Sequence, residues 1–165
     1  MKKTHPVNKE ESLKDNIKHI LPLMFDDFFF FKESAVNFPL RRNLLHRMRI
    51  AGKPLRYAME IGEYCFGDEF KQCLGEVKDV IELMGEIHDA DVIIPEVNLH
   101  IKEIRLFNQT IPDFKQRLST KTPRDLVEGQ RSLRRKMYAE LCQKLNNWQT
   151  SGFKNRLTAS MSNLS

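Results

Sequence analysis

Hydrophobic positions along this chain recur at spacings of three and four residues and almost never alternate. No Asn-Gly or Asp-Gly pair joins two alternating runs, so hairpins are not expected. The periodicity marks four helical segments, at roughly 9–35, 39–66, 69–104 and 124–148. Pro22 should bend the first and Pro95 should break the third. Gly67 reads as a C-cap of the second, with Asp68 opening the next. Residues 105–123 hold Pro112 and Pro123 and read as a loop or a short broken helix, and Gly152 precedes an amphipathic tail, Phe153–Leu164. The expected fold is all-α: an antiparallel up-down four-helix bundle with a short extra C-terminal helix, forming one domain over residues 1–165.

The run Phe28-Phe29-Phe30-Phe31 does not fit a single seam. At about 100° per residue, four consecutive side chains surround most of a helix. The run is either covered locally, by the tail or the loop, or offers an apolar surface to a second copy of the chain.

On the second segment the two faces separate cleanly. Leu44, Met48, Ala51, Leu55, Ala58 and Met59 make an apolar side. Opposite them, Arg42, His46, Arg49, Lys53 and Arg56 share an arc of about 80°, in a line about 21 Å long. Like charges at these spacings repel by a few tenths of a kcal/mol per pair, and no carboxylate occurs between residues 41 and 57. Relief must come from acids on a neighbouring helix, from solvent or from an anionic ligand. Arg suits phosphate through its planar fork, Lys through its point charge and His through its titration near neutral pH. Spacing alone leaves a solvated face and a polyanion site both open.

On the third segment, Phe70, Cys73, Leu74, Val77, Ile81 and Met84 form one stripe, whose extension carries His88 and Asp91, with Asp89 near its edge. A buried carboxylate requires a partner, for which Arg49, Arg56 and Arg134 are candidates, so Asp89 and Asp91 are read as members of structural ion pairs. His88, Asp89 and Asp91 are also competent metal ligands, but their spacing is not repeated elsewhere, and neither a metal nor another cofactor is expected. On the fourth segment, Arg124, Arg131 and Arg135 align beside a core stripe that includes Leu133, Met137, Leu141 and Trp148.

Charge sharpens this picture. The net charge of +5 is unevenly spread: residues 41–57 hold six basic and no acidic side chains, residues 58–104 three and twelve, and residues 105–165 twelve and four. Two basic segments thus flank an acidic one. No apolar run of about 18 residues occurs, so no membrane span is expected. The N-terminus lacks the apolar core of a secretory signal, and Cys65, Cys73 and Cys142 lack metal-ligand spacing, which together suggest reduced thiols and a cytoplasmic protein.

The string His46-Arg47-Met48-Arg49-Ile50-Ala51-Gly52-Lys53-Pro54-Leu55-Arg56-Tyr57 resembles the signature helix of CHAD domains, the conserved-histidine α-helical domains. Met84-Gly85-Glu86-Ile87-His88-Asp89-Ala90-Asp91 resembles the second signature of that family, in the same order and at similar spacing. The resemblance implies an all-helical domain that binds inorganic polyphosphate in a basic groove and has no catalytic activity of its own. It implies that His46, Arg49, Lys53 and Arg56 are groove residues and that Asp89 and Asp91 are the family's acids. Lys78, Arg131 and Arg135 are weaker carry-overs, and Arg42 joins the set through the helical wheel. Pro54 departs from the pattern: it stands where the family has a second basic residue, and it should kink the helix near Ile50. Each signature occurs once, although the family has two similar bundles, so the chain resembles one half and a homodimer would restore the pair. Two other functions remain open. A metal-dependent phosphoanhydride or phosphoester hydrolase would use His88, Asp89 and Asp91, but there is no phosphate-binding Gly-rich loop. A nucleic-acid or protein-binding bundle would use the same cations, but Tyr57 is the only aromatic near them that could stack on a base.

Overall fold

The computed structural model describes residues 5–162, and among these there are helices and turns but no strand. Six α-helices follow in order: α1 Leu13–Phe29, α2 Lys32–Asn37, α3 Arg42–Gly62, α4 Asp68–Gln109, α5 Lys121–Thr150 and α6 Phe153–Ser162. Short 3₁₀ turns occupy Glu63–Cys65 and Phe114–Gln116. The all-helical expectation holds, but the element boundaries move. The first expected segment is two helices. α4 runs unbroken through Pro95, and α3 is continuous through Pro54. Leu164, at the end of the expected tail, lies outside the described residues.

The chain divides into two compact units. The first contains residues up to Gly85 and those from Glu140 on, and the second is Glu86–Ala139. α4 and α5 each contribute to both.

In the first unit, α1 starts where Ser12 caps it. The Ser12 hydroxyl accepts from the Asp15 N–H at 3.2 Å and donates to the Asp15 carboxylate at 2.6 Å, a reciprocal N-terminal cap. α1 then packs on α3. The core face of α3 is Leu45, Met48, Gly52, Leu55 and Met59. This is slightly rotated from expectation: Leu44, Ala51 and Ala58 are only half-buried. Gly52 explains the rotation. A Cβ there would stand 2.2 Å from Ile81 Cδ1 and 2.9 Å from Phe28 Cδ2, so α3 uses its glycine as the point of closest approach to α1 and α4.

The phenylalanine run divides between core and surface. Phe28 is fully buried beside Trp148, and Phe25 stacks on Phe153 of α6 with centroids 5.6 Å apart. Phe31 receives the Arg47 guanidinium over its ring at 5.1 Å, while Phe30, just past the end of α1, is 79% exposed. Trp148 closes this core, stacked on Phe153 at 4.2 Å and donating its indole N–H to Glu76 at 3.1 Å. Gly152 adopts φ 65°, the left-handed conformation that turns α5 into α6. Gly67 does not share that conformation, so it is not the C-cap expected of it. Its carbonyl instead accepts from the Phe70 and Lys71 N–H groups as α4 begins.

In the second unit, the C-terminal part of α4 and the N-terminal part of α5 enclose a small core of Ala90, Ile94, Ile101 and Val127, with Val97 against it. The turn between them is fixed by Asn108, whose side chain donates to the Leu118 carbonyl at 2.9 Å and accepts from its N–H at 2.8 Å.

Candidate phosphate-binding face

The cationic side of α3 is set by the core side. Burying Leu45, Met48, Leu55 and Met59 leaves positions 42, 46, 49, 53 and 56 facing away from the core. Arg42 and His46 are exposed, and each is engaged in a contact of its own. Arg49 is half-buried. Its Nε is closed off from solvent and has no hydrogen-bond partner. Gly85 of α4 lies beside it: a Cβ at Gly85 would be in ordinary contact, 3.7 Å from Arg49 Nε and 3.8 Å from Nη2. No carboxylate among the described residues holds the guanidinium. Lys53, also half-buried, has no acidic partner among the described residues.

The row changes character at its C-terminal end. Arg56 Nε donates to Glu60 Oε1 at 2.9 Å, and its Nη1 reaches Glu82 Oε1 of α4 at 3.5 Å. Lys78 Nζ stands 3.6 Å from the same Glu60 oxygen. The Arg56 hydrogen bond holds the Glu60 carboxyl below the usual carboxylate range, against a smaller opposing effect of burial, and it raises Arg56 in turn. Acids from the helix's next turn and from α4 thus relieve Arg56 and Lys78. Arg49 and Lys53, about 6 Å apart along the helix at 1.5 Å per residue, have no such relief among the described residues. Glu60 was visible in the sequence as an i+4 partner of Arg56. Glu82 and Gly85 were not, because only the docking of α4 on α3 brings them there.

The two aspartates of the second signature part company. Asp91 is buried in the second unit and takes a two-pronged bond from Arg134, Nε to Oδ1 at 2.7 Å and Nη2 to Oδ2 at 3.2 Å. Asp89 is exposed and forms no ion pair among the described residues, which corrects the expectation that both acids are paired. Side chains two apart on a helix point about 200° away from each other, so both cannot face one partner. Arg131 and Arg135 also belong to the second unit, where both approach Glu128, at 3.7 Å and 3.5 Å. His88 is half-buried and makes a contact of its own. Among the described residues, no group of three or more His, Cys, Asp or Glu side chains is arranged to hold a metal ion.

Residues 24–97 match the CHAD domain. The matched segment takes in the end of α1, all of α2 and α3 and the greater part of α4, and it covers less than half of the chain. No curated protein and no solved structure matches the chain significantly. No helix of the described residues is long and apolar enough to cross a membrane.

Proposed function

We propose that this protein binds inorganic polyphosphate, or a similar chain of phosphates, along the exposed face of α3, without a catalytic step. Arg49 and Lys53 are the primary contacts, and Arg42 and His46 extend the row. Arg56 and Lys78 are secondary, because Glu60 and Glu82 already occupy them. The observation that carries the reading is Arg49, a guanidinium seated over Gly85 with no carboxylate to hold it, in a row of cations within a CHAD segment. A row favours an extended polyanion over one compact group, and an Arg with uncommitted N–H groups favours phosphate oxygens.

The test is polyphosphate affinity of the wild type against His46→Ala combined with Arg49→Ala. Loss of most of the affinity is expected, and an unchanged value refutes the assignment. Single-stranded RNA at matched phosphate concentration should compete poorly, since Tyr57 is the only aromatic of α3. The reading includes a homodimer, in which exposed Phe30 pairs with its counterpart. Light scattering that shows a strict monomer at micromolar concentration would remove that part alone.

A further inference from the structure

The second unit contains a cleft that none of the above uses. It has a volume of about 490 Å³ and lies between α4 and α5. Its walls are two helical faces with matching periodicity. Asn98, Ile101, Lys102 and Arg105 come from α4, at i, i+3, i+4 and i+7; Arg124, Val127, Glu128 and Arg131 come from α5 at the same spacing. That is the spacing at which two packed helices face each other. Nearer residue 90 the same seam is apolar, through Ala90, Ile94 and the Ile101–Val127 floor. Beyond the floor it becomes cationic, so four positive side chains are turned toward a common space.

The neutralisation within the cleft is incomplete. Glu128 is shared between Arg131 and Arg135. Lys102, Arg105 and Arg124 have no ion-pair partner among the described residues. The first turn of α5 carries no acid, so the positive end of the helix dipole adds to the same field. Four cations against Asp125 and Glu128 leave two positive charges in the lining. A long polyphosphate would bring many more negative charges than that, and it would meet both carboxylates. A phosphomonoester dianion matches the excess, and a hydroxyl or amino group on its body would satisfy Asp125. The volume falls within the usual range for small-ligand sites.

We propose that this cleft binds a small phosphomonoester. Lys102, Arg105 and Arg124 hold the phosphate, Asp125 accepts from a donor on the ligand, and Ile101 and Val127 form the apolar floor beneath it. The site lies wholly within the second unit and does not rest on the α3 row. The two sites share no residue, and either can fail without the other.

The test is calorimetric titration of the full chain with AMP and with ribose 5-phosphate, with adenosine and inorganic phosphate as comparators. Saturable binding of at least one phosphomonoester is expected, tighter than that of inorganic phosphate and absent with adenosine. Lys102→Ala combined with Arg105→Ala should weaken it by about tenfold or more, since two charge-assisted contacts are lost. Both side chains are exposed, so the variant should keep its far-ultraviolet circular dichroism. Arg49→Ala should leave the binding unchanged. The proposal is overturned if neither phosphomonoester binds at millimolar concentration, or if adenosine or inorganic phosphate binds equally well. It is also overturned if the Lys102/Arg105 variant retains full affinity, or if Arg49→Ala abolishes the binding.

Discussion

Replacing Gly52 by alanine sets two physical effects against each other within one helix. By intrinsic propensity, Ala in a helix interior is more favourable than Gly by about 0.8–1 kcal/mol. By packing, the added methyl would lie 2.2 Å from Ile81 Cδ1 and within 2.9–3.0 Å of two Phe28 ring atoms. Carbon atoms rest at about 3.5–4 Å, so the Ile81 methyl must retreat by more than about 1 Å and the Phe28 ring by about half that. Neither has space: Ile81 is 5% exposed and Phe28 is fully buried. Overpacking of this kind costs about 1–3 kcal/mol, so the net expectation is a loss of about 1 kcal/mol. Gly75 on α4 is the internal control, because a Cβ there meets nothing within 4 Å and only the propensity gain remains. Urea unfolding followed by the fluorescence of buried Trp148 measures both variants. Gly75→Ala should be the more stable protein and Gly52→Ala the less stable. A Gly52→Ala protein as stabilised as Gly75→Ala would refute the close approach of α3 to Ile81 and Phe28.

Four other outcomes follow from the same geometry. Asp91→Ala should cost about 3–5 kcal/mol, read by urea unfolding, because it strands Arg134 in a largely buried position; adding Arg134→Met should recover much of the loss. Glu60 has a lowered pKa, so the stability it supplies is present above the ordinary carboxylate range and is lost as pH falls through its own, lower value. The stability gap between wild type and Glu60→Gln should therefore close in strong acid, and a gap that persists there would contradict the pairing with Arg56. Gly85→Ala should bind polyphosphate normally, since its Cβ reaches only ordinary contact with Arg49, whereas Gly85→Leu should displace the guanidinium and weaken binding. Cys73 is fully buried, and burial pushes its thiol pKa up, so a thiol reagent at neutral pH should label Cys65 and Cys142 well before Cys73.

What the sequence made legible was whatever depends on one helix at a time. The separation of Met48, Leu55 and Met59 from His46, Arg49 and Lys53 follows from 3.6-residue periodicity, and the structure has the same separation. Contacts between elements were beyond its reach. The place of Gly52 depends on Phe28 and Ile81, residues distant in sequence. Proline was given too much weight as a breaker: α4 keeps Ile94 and Ile101 in one core on either side of Pro95, and that burial outweighs the lost backbone bond. The Phe28–Phe31 run divides into core and surface because α5 brings Trp148 against Phe28, a contact between elements distant in sequence. For the candidate site, the cations were readable and their neutralisation was not. Glu60 is an i+4 partner within α3, whereas Glu82 reaches Arg56 only through the docking of α4.

The salt dependence of polyphosphate binding tests the central claim most directly. Each phosphate contact that releases a counterion adds about one unit to the slope of log affinity against log salt concentration. Arg49, which no carboxylate holds, should contribute to that slope, and Arg56, already bound to Glu60 and Glu82, should contribute little. Arg49→Ala is therefore expected to flatten the slope by about one unit and Arg56→Ala to leave it nearly unchanged. Equal slopes in the wild type and Arg49→Ala would contradict a phosphate chain bound along α3.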